Sequence, residues 1–199
     1  EIEQQGHTAV RLRADVTDYE QVHAAVERFK VHFGDYPHVL ICAAGVLGPI
    51  GPFAESNPKH WDDVVRTNLL GVMHCCRAVL PHMVFRRSGK IIVLTGGGAT
   101  PARPNFAIYG ATKAFLLSFS EAVWAENRHR GIRVVALCPG ATQTGFFDVV
   151  GAKEAAVGTP MPVANVVQDA LWALDRNRSY RIVGTQNRLL ANLQRLLSR

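Results

Sequence analysis

IIVLTGGGATPARPNFAIYGATKAF, residues 91–115, holds three kinds of sequence in succession. Ile91 to Thr95 is a short apolar run of the kind expected for a strand buried on both faces. The glycines at 96, 97 and 98 end it abruptly, and Pro101 and Pro104 hold the next stretch out of regular structure. A helix is then predicted from about Phe106 to Arg128, closed by Gly131. Buried strand, glycine loop and helix together make one unit of a mostly parallel sheet covered by helices.

The same alternation continues in both directions. Downstream, Arg133 to Cys138 reads as a strand stopped by Pro139 and Gly140, and residues 141–161 as an irregular lid with a short helix. Val163 to Leu174 reads as a helix, Tyr180 to Val183 as a last strand and Asn187 to Arg199 as a final helix. Upstream, one long helical stretch is predicted over Lys59 to Arg87, ending at Gly89, behind a Gly- and Pro-rich loop from Gly45 to Pro58 and a buried strand at Val39 to Ala43. Thr8 to Ala14 alternates Ala9, Val10 and Leu12 with arginines and reads as a strand, and Thr17 with Glu20 makes a capping box for a helix to about His32. The fold class is therefore α/β, a doubly wound, mostly parallel sheet with helices on both faces, in a single domain over 1–199.

Composition narrows the function classes. At 199 residues and 48% hydrophobic content the chain can bury one core. No apolar run approaches the roughly eighteen residues of a membrane-spanning helix, and the first residues lack signal-peptide character. Cys42, Cys75, Cys76 and Cys138 lie in apolar stretches without disulfide-framework spacing, which fits a reducing cytoplasm. The net charge of +6 belongs to the tail: after Asp175 come six arginines and no acid, leaving sixteen basic residues to balance sixteen acidic ones before it. With no basic patch interleaved with aromatics, nucleic acid is excluded as a partner.

The chemistry concentrates on Tyr109 and Lys113, four residues apart on one helix face. An ammonium beside a phenol favours the phenolate, which lowers the tyrosine toward the working pH and makes it a general acid or base. The pair opens a helix directly after a buried strand and glycine loop, where ligand sites of open α/β sheets gather. Around it fall Asp15-Val16-Thr17-Asp18, Cys42-Ala43-Ala44-Gly45 closing a strand, Asn68 within the long helix, and Pro139-Gly140 with Thr142 and Thr144 after the next strand.

In this ordered set the chain resembles the short-chain dehydrogenase/reductase family, over nearly its whole length. The resemblance implies a Rossmann-type fold and an NAD(P)-dependent oxidoreductase that exchanges a hydride between nicotinamide and an alcohol or carbonyl, with Tyr109 as general acid/base. It implies that Asp15 and Val16 flank the adenine, that Ala43, Ala44 and Gly45 line the cofactor, and that Lys113 hydrogen-bonds the nicotinamide ribose. Pro139, Gly140, Thr142 and Thr144 would pass along the nicotinamide, and Asn68 would hold a water in a proton relay to the lysine. A homodimer or homotetramer is the assembly implied.

Two departures stand out. Cys42-Ala43-Ala44 replaces the family's paired asparagines, and the position of the catalytic serine, thirteen residues before the tyrosine, is Gly96 with Thr95 as the neighbouring hydroxyl. Thr95 is the expected serine replacement. The family's opening strand and glycine-rich turn, which take the pyrophosphate at a helix N-terminus, are not in this sequence, so the reading is of an N-terminally truncated chain that grips cofactor poorly. With them goes the choice between NAD and NADP. In the implied strand order 3-2-1-4-5-6-7 the missing strands separate Thr8–Ala14 from Val39–Ala43, leaving an unpaired apolar edge at Val39. The competing reading is a non-catalytic binding or assembly module on the same fold, favoured by Gly96 and the missing turn, opposed by Asn68, Tyr109 and Lys113.

The remaining features carry less. His74-Cys75-Cys76 with His82 do not converge as a metal site on a helix, so no metal is expected. Ser118 and Ser120 lack a hydrolase's glycine-flanked elbow. Phe106, Phe146, Phe147 and Met161 read either as the wall of an apolar substrate pocket or as core. In residues 186–199, Leu189, Leu190, Leu193, Leu196 and Leu197 form one stripe with Arg188, Arg195 and Arg199 on its flank, a basic amphipathic helix. It either packs on the body or a second subunit, or touches an anionic membrane peripherally.

Overall fold

The computed structural model describes residues 2–96, 103–146, 159–185, 187–189 and 191. Its elements run α1 (Tyr19–Phe33), β1 (Val39–Cys42), α2 (Lys59–Val65), a π turn (Arg66–Leu70), α3 (Gly71–Arg86), β2 (Gly89–Leu94), α4 (Ala107–Asn127), β3 (Ile132–Cys138), α5 (Val163–Asp175) and β4 (Tyr180–Ile182). The four strands form one parallel sheet in the order β1-β2-β3-β4, with Ile91 opposite Leu40 on one side and Val134 on the other.

Alternation along β2 and β3 divides the core between the two faces of the sheet. Ile91, Val93, Ile132 and Val134 pack with Val72, Val79 and Met83 of α3 and Leu116 and Val123 of α4. Ile92, Val135 and Leu137 turn the other way, onto Val166, Ala170, Ala173 and Leu174 of α5. Helices therefore cover both faces, as the run-by-run reading requires. β1 is less well covered. Among the described residues it pairs only with β2, and Val39 and Ile41 remain 48% and 57% exposed, the bare apolar edge expected there.

Three expectations need correction. Thr8 to Ala14 forms no strand: it has no ladder partner among the described residues, most of its side chains are exposed, and its recorded tie to the body is the Arg28 guanidinium donating to the Arg13 carbonyl at 3.1 Å. Alternation alone cannot make a strand without a neighbour to take its backbone groups. The cap of α1 is Asp18, whose carboxylate accepts from the Glu20 and Gln21 amides at 2.9 and 3.2 Å. Thr17 is already committed to Asp15, donating its amide and hydroxyl at 2.8 and 2.9 Å. Third, the strand expected to be buried on both faces at Val39 to Ala43 ends at Cys42 and leaves Val39 and Ile41 exposed; the stretch from Lys59 is helical to Arg86, with a π turn at Arg66–Leu70 inside it. Of the final helix, residues 185, 187–189 and 191 are helical, and the rest of the leucine stripe, with Arg195 and Arg199, lies outside the described residues.

The junction before β3 gives a stability prediction. Gly131 has φ 79°, and a Cβ there would stand 2.1 Å from the Arg87 carbonyl oxygen. A backbone oxygen cannot rotate aside as a side chain could. Gly131→Ala is expected to cost about 1–2 kcal/mol for the left-handed backbone and a further ~1–3 kcal/mol for the overlap, read as a lower urea midpoint.

Candidate active site

The carboxyl ends of β1, β2 and β3 lead into Ala43–Gly45, Thr95–Gly96 and Pro139–Gly140, and α4 begins above them. Parallel strands bring these three turns to one edge of the sheet, the usual place for a ligand in an open α/β fold. Lys113, on the second turn of α4, is 7% exposed; its ammonium donates to the Leu94 carbonyl at 2.9 Å and lies 5.5 Å from the centre of the Tyr109 ring. Tyr109 is half-buried, and a Cβ built on Gly96 would stand 3.7 Å from its hydroxyl. The phenol thus faces the open side of a glycine that has no side chain to fill it.

The electrostatics differ from the expectation. Burial pushes the Tyr109 phenol above its ordinary value, and no lowering by Lys113 offsets it. Burial also moves Lys113 down to about 8, against a smaller opposing effect of Cys138. Loss of solvent penalises both charged forms and outweighs a lysine placed beside the ring. The sign for stability follows. Below pH 8 Lys113 is charged both folded and unfolded, and its burial cost is fully present. From pH 8 to about 10.5 the unfolded chain holds more protons, so stability rises by up to about 3 kcal/mol. Urea unfolding at pH 7.5 and 10 is expected to show this rise in the unsubstituted chain and to lack it in Lys113→Met.

Asn68 is fully buried in the π turn and serves as a backbone anchor. Its Oδ1 accepts from the Val46 amide at 2.8 Å, and its Nδ2 donates to the Val46 carbonyl at 2.9 Å and to Thr112 Oγ1 at 3.2 Å. The Thr112 hydroxyl in turn donates to the Tyr109 carbonyl at 2.7 Å. A Cβ on Gly45 would lie 3.3 Å from Asn68 Oδ1 and 3.6 Å from Lys113 Nζ, so the first loop is threaded between these two side chains. Asn68, Tyr109, Lys113, Gly45 and Gly96 are therefore brought together.

The other expected residues lie at varying remove. Thr95 is fully buried, and its hydroxyl donates to the Leu137 carbonyl at 3.0 Å and lies 2.9 Å from Cys138 Sγ. Ala43 and Ala44 are exposed at the end of β1. Val16 rests against the start of α3, where a Cβ on Gly71 would meet Val16 Cγ2 at 2.7 Å and His74 Nδ1 lies 3.0 Å from the Val16 carbonyl, while the Asp15 amide donates to Gln21 Oε1 at 3.1 Å and its carboxylate accepts from Thr17. Pro139 and Gly140 are half-buried; Thr142 donates its hydroxyl to the Gly140 carbonyl at 3.1 Å and bridges to Met161, while the Thr144 hydroxyl accepts from the Phe146 amide at 3.4 Å.

The two readings of the aromatic wall divide. Phe106 and Phe146 pack with Tyr109 around buried Leu47, whereas Met161 belongs to the core under α5. Phe147 lies outside the described residues. A concavity of about 420 Å³ lies between Val46, Gly48, Pro49, His60, Asp63 and Val64; Tyr109 does not line it. Among the described residues no group of three or more His, Cys, Asp or Glu side chains could hold a metal, and no helix is long and apolar enough to cross a membrane.

Residues 1–155 match the model of the short chain dehydrogenase family. The chain belongs to that family. It is 33% identical over 146 residues to the oxidoreductase UcpA of Salmonella typhimurium, covering 73% of this chain and 55% of that protein, so it spans little more than half of this relative. The gluconate 5-dehydrogenase of Burkholderia cenocepacia, solved with NADP and tartrate, superposes with a TM-score of 0.81 at 26% identity, over 92% of this chain and 76% of that one. The 3-ketoacyl-(acyl-carrier-protein) reductase of Brucella melitensis, solved with NADH, gives 0.81 at 25% identity over 92% and 79%.

Sequence reasoning overlooked the partners that hold the site: Thr112, the Val46 backbone and the Leu94 carbonyl. Thr112 was within reach, since it follows Tyr109 by three residues and shares its helix face. The two backbone partners carry no residue-type signal.

Proposed function

We propose that the chain carries the proton-transfer machinery of an NAD(P)-dependent oxidoreductase acting on a small alcohol or carbonyl compound with an apolar body. One observation carries the reading: the Tyr109 hydroxyl faces the open side of Gly96, with Lys113 fixed behind the ring at the Leu94 carbonyl. A carbonyl oxygen seated over Gly96 comes within reach of the phenol, which gives it a proton in reduction and takes one in oxidation. Leu47, Phe106 and Phe146 offer the substrate's body an apolar surface beside Tyr109.

NAD or NADP, when bound, supplies or accepts the hydride. The residues fit its nicotinamide end: Gly45 and Gly96 leave open two positions that a Cβ would occupy, and Lys113 has donors to spare beyond its one bond to Leu94. Lys113 and Tyr109 would hold the ribose, Ala43 to Gly45 one side of the dinucleotide, Asp15 and Val16 its adenine, and Pro139, Gly140, Thr142 and Thr144 the nicotinamide. Asn68 keeps the Gly45 loop at its distance from Lys113. With the Thr95 hydroxyl bonded to Leu137, the part of Thr95 is to fix Gly96 beside the phenol; orienting a carbonyl itself requires that bond to break. A homodimer or homotetramer is the assembly in keeping with this reading. The test is turnover of a panel of ketones and aldehydes with NADH and NADPH by the intact protein, followed at 340 nm; no turnover of any member with either cofactor sinks the proposal.

A further inference from the structure

Three of the four cysteines meet at the seam between sheet and helix. Cys42 closes β1, and Cys75 and Cys76 follow one another in α3, which lies across that strand. Cys42 and Cys76 are buried in the core cluster, and half-buried Cys75 packs against it. The Cys42 thiol lies against both helix thiols in this cluster. None of the three has a part in the proton transfer described above.

Their environments are unequal. Cys42 is raised well above an ordinary thiol, first by its contacts with Cys75 and Cys76 and then by burial. Cys75 is lowered, because Cys42 donates to it. Cys75 is also the least buried of the four cysteines. A half-exposed sulfur beside a buried thiol is the arrangement of an oxidisable cysteine with its resolving partner.

We propose that Cys75 is an oxidation site for small hydroperoxides and that Cys42 resolves it as an intramolecular disulfide. In the first step the Cys75 thiolate attacks the peroxide; the O–O bond breaks, the leaving oxygen takes a proton and departs as water or an alcohol, and Cys75 becomes a sulfenic acid, two electrons poorer. In the second the Cys42 sulfur attacks the Cys75 sulfur; the S–S bond forms, the S–O bond breaks, and hydroxide leaves as water with the proton of Cys42. Two thiols and one hydroperoxide give one disulfide, water and the reduced peroxide. Cys76 is the poorer partner because successive helical side chains diverge by about 100°. Cys138 is fully buried beside Thr95, on another strand.

The bond would tie the end of β1, immediately before Ala43–Gly45, to the helix that follows Asn68. The test is treatment of the native chain with hydrogen peroxide, blocking of free thiols, and non-reducing peptide mapping. Trypsin places Cys42 in Val31–Lys59 and both helix cysteines in Thr67–Arg77. The expected product is these two peptides joined through Cys75, lighter by two hydrogens and separated again by dithiothreitol. Cys75→Ser should abolish the link and all dimedone labelling, Cys42→Ser should leave Cys75 trapped by dimedone, and Cys76→Ser should change neither. A link through Cys76, dimedone on another cysteine, or no link at all would overturn the proposal. The map of the unsubstituted chain decides the pairing by itself, even where a variant fails to fold.

Discussion

Tyr109→Phe in the intact protein is expected to lower kcat by about 10²–10⁴, the range a positioned proton donor or acceptor supplies, with little change in dinucleotide affinity or stability. The substitution removes one oxygen. Among the described residues the Tyr109 hydroxyl has no hydrogen-bond partner, and its ring contacts with Leu47 and Lys113 survive in phenylalanine. The loss should therefore fall on kcat rather than on folding, and thermal unfolding should shift little. Burial places the phenol above its ordinary value, so Tyr109 stays protonated as an acid across the neutral range. Carbonyl reduction, which needs that proton, should persist to higher pH than alcohol oxidation needs to begin. Equal kcat for Tyr109→Phe and the unsubstituted protein would remove Tyr109 from the chemistry.

What was legible follows from which forces act locally. The strands at 39–42, 89–94 and 132–138 announce themselves as apolar runs because a parallel sheet covered by helices needs little else, although only β2 and β3 are buried on both faces and β1 keeps Val39 and Ile41 exposed. Thr8–Ala14 carries an equally regular pattern and forms no strand, since a ladder depends on a neighbour that the pattern itself does not supply. The Tyr109–Lys113 spacing correctly placed both groups on one helix face. Its electrical consequence was misjudged because the sign depends on how much water the two groups lose, and only the packed structure fixes that. Thr95, read as a hydroxyl for the substrate, is turned to β3 by the close pairing of β2 with β3, which offers it the Leu137 carbonyl. The π turn is the least legible element. No glycine or proline marks Arg66–Leu70, and the shift in helical phase accompanies a long-range demand, the seating of Asn68 against a loop twenty-two residues upstream.

That demand supports the second large effect. Asn68→Leu, close in volume, is expected to destabilise the protein by about 2–4 kcal/mol, because three hydrogen bonds, two to the Val46 backbone and one to Thr112, are lost at about 0.5–1.5 kcal/mol each. Thr112→Val removes only the 3.2 Å bond to Asn68 and the bond to the Tyr109 carbonyl, and should cost about 1 kcal/mol. Asn68→Asp separates the two halves of the anchor. It keeps an acceptor for the Val46 amide but sets a carboxylate oxygen against the Val46 carbonyl, in a site with no solvent access. That variant should be at least as unstable as Asn68→Leu at neutral pH and should recover part of the loss in acid, where a protonated carboxyl can donate. Urea midpoints at pH 5 and 7.5 measure both comparisons. If Asn68→Leu unfolds at the same midpoint as the unsubstituted chain, Val46 is not held by Asn68. The Gly45 loop would then owe its distance from Lys113 to something other than the asparagine, and the order of the site would have to be sought in the loop itself.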